Sequence, residues 1–325
     1  MSLISTLLEL ALPAAGAVGL GWPVTKTWRT KRKVEAAVPP RGKFIQISTG
    51  KLHYADRGTG PAILMIHGLG GQLGNFDMGL IDLLARDHRV VAIDRPGMGW
   101  SERPAHTPAN PRAQAAQMIE VIDALGLDRP LIVGHSLGGA IALCLALEHP
   151  EKTRGLALLA PLTVATAEPA PPFKPLAIPS GLKRFVLSWT FATPASIRNQ
   201  QDVFDYIFGP EDVPTGYSVD GGGLLGLRPK SFRNTCRDFL ASGRDLKWMS
   251  NGYDGLRVPV HILFGREDRI LDPQIQGVEL TNHHPAIKLT LTYGGHMLPL
   301  TQPEACNSFI RTAMADADSA TALTA

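Results

Sequence analysis

The sequence predicts an α/β protein, with a mostly parallel central sheet flanked by helices and interrupted by an inserted, mainly helical cap. Three observations carry that expectation. Residues 41–161 alternate short β-like runs with helix-like runs, the pattern of βαβ units. One such run, Leu131–Val133, passes directly into Gly134-His135-Ser136-Leu137-Gly138-Gly139 and then a long apolar helix. Between Pro161 and about Gly255 the rhythm breaks, with seven prolines from Pro161 to Pro194 and then irregular amphipathic stretches.

In chain order, Phe44–Ile47 and Lys51–Ala55 read as an opening hairpin around Thr49-Gly50. Ala62–Ile66 is a buried strand, followed by a glycine-rich loop and a helix over Asp77–Arg86. Arg89–Ile93 is the next strand and ends in Asp94-Arg95-Pro96-Gly97. A helix over Ala113–Leu125 is closed by Gly126, because glycine takes the left-handed conformation that ends a helix. Leu131–Val133 is a strand, Gly138–Glu148 a helix stopped by His149-Pro150, and Leu156–Leu159 a strand. In the insertion, Leu182–Phe191 and Phe232–Leu240 are amphipathic. Val260–Phe264 and Ile287–Thr292 resume the strand pattern.

The expected divisions are a leader at 1–40, the first part of the core at 41–161, the cap at 162–250, the second part of the core at 251–314 and a flexible tail at 315–325. With 325 residues, 44% hydrophobic and 19% charged, the chain has the material for a large core, which excludes disordered, collagenous and disulfide-scaffold classes. The formal charge is +3, but five bases and two acids fall in residues 1–40, leaving 27 of each sign beyond them. The body therefore carries no electrostatic footprint for nucleic acid. Cys144, Cys236 and Cys306 have no metal-like spacing and read as buried thiols, so neither a zinc site nor a disulfide framework is expected.

Leu3–Val24 holds a single charge, Glu9, and is followed by the basic run Lys26–Lys33. About 20 apolar residues suffice to cross a bilayer. No basic residue precedes the run, so anchoring is preferred to export, although Ala15-Gly16-Ala17 has the look of a cleavage site. The basic flank would put the body on the cytoplasmic side. Glu9, Pro13 and Pro23 interrupt a clean span, so an interfacial helix, or a helix packed on a soluble cytoplasmic body, are the alternatives. Val38-Pro39-Pro40 reads as a short stiff linker.

The chemistry centres on Ser136. A serine on a sharp strand-to-helix turn projects its hydroxyl above the sheet at a helix N-terminus, where negative charge is favoured. Such a serine needs a base, itself oriented by an acid. Phe264-Gly265-Arg266-Glu267-Asp268 supplies an acid after one strand, with Asp268 preferred over Glu267, and Tyr293-Gly294-Gly295-His296 supplies an imidazole after the last. An oxyanion site is expected from the backbone N–H groups of Leu69, in His67-Gly68-Leu69-Gly70-Gly71, and of Leu137. His67 is expected to brace its loop, and neither glycine cluster matches a phosphate-binding pattern.

Through HGLGG (67–71), DRPGMGWS (94–101), GHSLGG (134–139), FGREDRI (264–270) and GGHMLPL (294–300), residues 41–314 resemble the α/β-hydrolase superfamily. The combination is most similar to bacterial lipolytic esterases and monoacylglycerol-lipase-like serine hydrolases. It extends to carbon–carbon-bond hydrolases of ring-fission products and to cofactor-free haloperoxidases. Epoxide hydrolases and haloalkane dehalogenases share the 94–101 segment but use an aspartate nucleophile, where this chain has Ser136. The resemblance implies the α/β-hydrolase fold, a Ser136-His296-Asp268 triad, and no metal or organic cofactor. Asp94 is expected to hold a turn.

The expected substrate is a small hydrophobic carboxylic ester, suggested by the apolar run Leu182, Phe185, Val186, Leu187, Trp189 and Phe191 beside Lys183 and Arg184. A C–C hydrolase is the alternative and would need a cation for a substrate carboxylate, for which Arg198, Arg228 and Arg233 are candidates. A non-catalytic ligand-binding protein stands further off.

Overall fold

The computed structural model describes residues 21–166 and 168–322, with side chains placed through residue 320. The described chain opens in a helix, α1, at residues 21–37. Strands β1 (Lys43–Ile47) and β2 (Gly50–Arg57) form an antiparallel hairpin, followed by β3 (Ala62–Ile66), α2 (Leu80–Leu84), β4 (Arg89–Ile93), α3 (Pro111–Ala124), β5 (Leu131–His135), α4 (Leu137–Glu148) and β6 (Gly155–Leu159). Then come α5 (Gly181–Thr190), α6 (Ala192–Arg198), α7 (Gln200–Phe208), α8 (Pro229–Ser242) and α9 (Leu246–Asn251). The chain closes with β7 (Val260–Gly265), α10 (Leu280–His283), β8 (Ile287–Thr292), α11 (Leu298–Thr301) and α12 (Pro303–Ala322).

The eight strands form one sheet in the order β1-β2-β4-β3-β5-β6-β7-β8, antiparallel at β1/β2 and β2/β4 and parallel from β4 to β8. Strands β3, β5 and β6 are buried along their whole length, as expected for strands covered on both faces. Helix α4 is buried from Leu137 to Ala146, so its uniform apolarity reflects a position at the centre of the molecule. Because β3, β5, β7 and β8 run parallel, the loops that follow them gather on one edge of the sheet, the usual place for a site in such folds.

Three expectations change. The helix foreseen over Asp77–Arg86 is confined to Leu80–Leu84, because Gly79, at φ 109°, begins it late. The tail read as flexible from residue 315 is instead helical through Ala322. Its alanines give α12 a thin face that lies against the sheet, with Ala313 and Ala317 buried, and Arg154 pairs with Asp318 at 2.5 Å. The linker is docked at its first residue: Val34 and Val38 pack on Leu225, and Trp100 Nε1 donates to the Val38 carbonyl at 3.2 Å.

Residues 3–20 of the apolar leader lie outside the described residues. Among the described residues no helix is long and apolar enough to cross a membrane. The basic run lies on α1, where Lys26 sits over the Trp22 ring, Arg32 over the Trp28 ring, and Lys31 pairs with Glu35 at 2.7 Å.

Candidate functional site

Ser136 stands between the end of β5 and the start of α4 at φ 54° and ψ −120°, a conformation few residues other than glycine adopt. The strain is held from both sides. Ser136 N donates to the Leu159 carbonyl at 3.1 Å, and the Ser136 carbonyl accepts from Gly139 N and Leu162 N. A Cβ on Gly138 would run into the Ile66 carbonyl, so only glycine lets α4 come this close to β3. Across the site, a Cβ on Gly68 would stand 2.8 Å from the Ser136 Cβ and 3.3 Å from its hydroxyl, which places the loop after β3 directly against the serine.

The loop after β7 brings Asp268 to His296. Asp268 Oδ2 lies 2.7 Å from His296 Nδ1, while Oδ1 accepts from the amides of Ile270 and Leu271 at 2.8 and 3.0 Å. Both residues are buried. Glu267 points elsewhere and accepts from Gly294 N at 2.7 Å, which fixes the loop that carries His296. The Ser136 hydroxyl and the His296 ring are not hydrogen-bonded to each other. Bonds of this kind commonly tighten only when substrate is bound.

The amides of Leu69 and Leu137 donate no hydrogen bond among the described residues. For Leu137 the reason is its place in the first turn of α4. For Leu69 it is the setting of the preceding peptide. The Gly68 carbonyl receives Arg95 Nη2 at 2.9 Å and His67 Nδ1 at 2.8 Å, and it also accepts from Gly71 N. In a trans peptide the N–H points opposite to the C=O, so holding the Gly68 carbonyl turns the Leu69 N–H the other way.

Several supports of this arrangement were not assigned from the sequence. Arg95, fully buried, also donates Nε to the His67 carbonyl and Nη1 to Asp238, while His67 Nε2 accepts from Arg95 N. His67 therefore braces its loop as expected, and burial, aided by the nearby Arg95 cation, pushes its pKa down to about 3. His135 Nε2 donates to the His296 carbonyl at 3.0 Å. Its ring lies 5.0 Å from that of His296, and burial together with that neighbouring imidazole lowers its pKa to about 3. Glu211, from the segment between α7 and α8, accepts from Gly295 N and from Gln302 Nε2, each at 2.7 Å. Nothing local in sequence marks Glu211 or Asp238, because each meets its partners across the fold.

Asp94 holds a turn, accepting from His53 Nδ1, Leu73 N and Trp100 N. Cys144, Cys236 and Cys306 are free and buried. Among the described residues no cluster of His, Cys, Asp or Glu is arranged to hold a metal ion.

A strand-ordered parallel sheet with a strained serine after β5 already narrows the fold. The model of the α/β hydrolase fold family matches residues 61–201. The chain has the α/β-hydrolase fold. It is 28% identical over 293 residues to a 2-hydroxymuconate semialdehyde hydrolase of Pseudomonas putida, a match covering 86% of the chain and 96% of that protein. It is 37% identical over 124 residues to the enzyme of the same name from Pseudomonas sp. (strain CF600), but there it spans only 44% of the relative's length. The crystal structure of a bacterial membrane phospholipase A superposes with a TM-score of 0.67 at 22% identity, over 97% of this chain and 98% of that one, a likeness of fold.

Proposed function

We propose that this α/β-hydrolase is a serine hydrolase that attacks a carbonyl carbon with Ser136 and expels a carbon leaving group, hydrolysing the C–C bond of a ring-fission product. The nucleophilic half rests on one observation. Ser136 is held at positive φ against Gly68, on the sheet edge where Asp268 and His296 meet at 2.7 Å. The leaving-group half is supported by the P. putida relative, whose similarity runs along most of the chain.

In this mechanism His296 takes the Ser136 proton as the hydroxyl adds to the carbonyl, and Asp268 fixes the imidazole tautomer and stabilises its cation. The Leu69 and Leu137 amides receive the oxyanion. The bond from the carbonyl carbon to its neighbour then breaks. Its electron pair stays on the departing carbon, where a conjugated 2-oxo group delocalises it, and His296 delivers the proton to that carbon. Water deprotonated by His296 cleaves the acyl-enzyme, giving the acid and free Ser136.

A carboxylic ester of a hydrophobic acyl group is the second reading, and the placing of the basic residues favours it. Arg228 is buried and donates to the carbonyls of Leu225 and Gly99, and Arg198 is exposed on α6. Arg233 lines a cleft that contains none of Ser136, Asp268 and His296. None of the three is thereby offered to a substrate carboxylate, and an ester needs none.

The test compares 2-hydroxymuconate semialdehyde with p-nitrophenyl esters of increasing acyl length on the full chain, with Ser136→Ala beside it. The C–C reading expects Ser136-dependent loss of the semialdehyde's absorbance with kcat/KM at least about tenfold above any ester. The reverse order selects the ester. No Ser136-dependent turnover of either would overturn both and leave a ligand-binding protein.

A further inference from the structure

A cleft of about 630 Å³ opens between α5, α8 and the segment Glu102–Ala105, apart from the Ser136 site. Lys230, Arg233 and Arg237 enter it from one face of α8, spaced i, i+3 and i+7, and Arg184 enters from α5. Thr235, which leans toward Gly70 of the loop opposite Ser136, lies on the other face of α8. The cleft is thus separated from the serine by the thickness of a helix.

Among the described residues none of these four cations forms an ion pair with a carboxylate. Arg184 donates to the carbonyls of Ile178 and Pro179, Arg233 to Ser188 Oγ at 3.1 Å, and Arg237 to the carbonyls of Ala105 and Thr107. These bonds orient the guanidinium groups through neutral acceptors. Lys230 forms no hydrogen bond or ion pair among the described residues, and burial, with Arg228 nearby, lowers its pKa to about 8. The single acid on the wall, Glu102, accepts from Lys51 N and keeps its charge, so four cations face one carboxylate. Four like charges around one cleft repel each other, and an anion placed among them relieves that repulsion.

The lip of the cleft is apolar. Phe185 lines it and carries the Arg233 guanidinium 5.6 Å over its ring. Leu182 and Val186 share the Phe185 face of α5, and the three are 73%, 47% and 53% exposed respectively. An outward apolar stripe on an amphipathic helix, ending at a cationic cleft, matches a molecule with an anionic head and an alkyl chain. We propose that this cleft binds the phosphate head of a single-chain alkyl phosphate lipid, with its chain laid along Leu182, Phe185 and Val186. A phosphate monoester, with up to two charges and three terminal oxygens, suits four converging cations better than a carboxylate does.

The test is calorimetric titration of the full chain at pH 7 with decyl phosphate below its micelle concentration, beside inorganic phosphate and decanol. Decyl phosphate is expected to bind, with inorganic phosphate and decanol each at least about tenfold weaker. Lys230→Gln, which breaks no hydrogen bond or ion pair among the described residues, and Arg233→Gln are each expected to weaken binding about tenfold, and Phe185→Ser about fivefold. Lys230→Gln should not alter hydrolysis of a soluble ester or other turned-over substrate. An unchanged Kd in both charge variants would overturn the proposal, as would inorganic phosphate binding as tightly as decyl phosphate. Because the readout is binding, its failure leaves the Ser136 reading untouched.

Discussion

Asp238, on α8, and Arg95, behind the loop opposite Ser136, form an ion pair of 2.8 Å in which both side chains are fully buried. Asp238 also takes Arg103, so one carboxylate serves two guanidinium groups. Arg95 in turn holds the carbonyls of His67 and Gly68. The covering helix and the loop that presents Leu69 are thereby parts of one polar network. Each member is costly to bury alone and tolerable only because the others are present.

Asp238→Asn is therefore expected to leave two buried guanidinium groups without a counter-charge and to cost about 3–5 kcal/mol of unfolding free energy. Arg103→Met, which keeps Arg95 paired with Asp238, should cost distinctly less. Urea unfolding of the two variants checks the order, and equal losses would show that charge balance is not what holds this network.

Removing the Ser136 hydroxyl with Ser136→Ala should lower kcat on any turned-over substrate by about 10⁴-fold or more, and Asp268→Asn by about 10⁴-fold. Glu267→Gln keeps an acceptor for Gly294 N and should cost tenfold at most. Steady-state rates decide this, and a Glu267 variant as damaged as the Asp268 variant would reassign the acid.

The order of Ser136, Asp268 and His296 is readable in sequence because each follows a strand, and strands announce themselves as short apolar runs. Which acid meets His296 depends on side-chain length and loop shape. Asp268 is short enough to accept from Ile270 N and Leu271 N while facing the imidazole, and Glu267 reaches Gly294 N instead. The Arg95–Asp238 pair is not readable, since its partners lie 143 residues apart and nothing in the segment around either one points to the other. The end of the chain misleads for another reason. Alanine-rich sequence resembles a frayed tail until the sheet surface that accepts Ala313 and Ala317 is known.

Acid should weaken the fold through His67 and His135. Each has a folded pKa of about 3 against an ordinary value of 6.5. Between those limits the unfolded chain binds a proton that the folded chain refuses, so stability is full above pH 6.5 and falls as the pH drops. The slope approaches about 1.4 kcal/mol per pH unit for each residue. His135→Gln, which keeps a donor for the His296 carbonyl, should flatten this limb. Unfolding midpoints at pH 7 and pH 5, above most carboxylate titration, test it, and an unaltered difference between the two would remove His135 as a cause.

Gly68→Ala probes the oxyanion geometry most directly. The added methyl would stand 2.8 Å from the Ser136 Cβ, closer than carbon atoms pack, so either the serine or the loop must move. The loop is the stiffer of the two, because Arg95 and His67 hold the Gly68 carbonyl from behind. The serine cannot retreat without breaking the bonds of its own backbone to Leu159, Gly139 and Leu162. In the proposed mechanism the displacement therefore falls on the line between the Leu69 amide and the reacting carbonyl, where the loss of a single donor typically costs about 10²–10³-fold in kcat. Because Gly68 contributes nothing to substrate binding except space, KM should change far less than kcat. A variant that loses affinity while keeping its turnover would place the oxyanion away from Leu69.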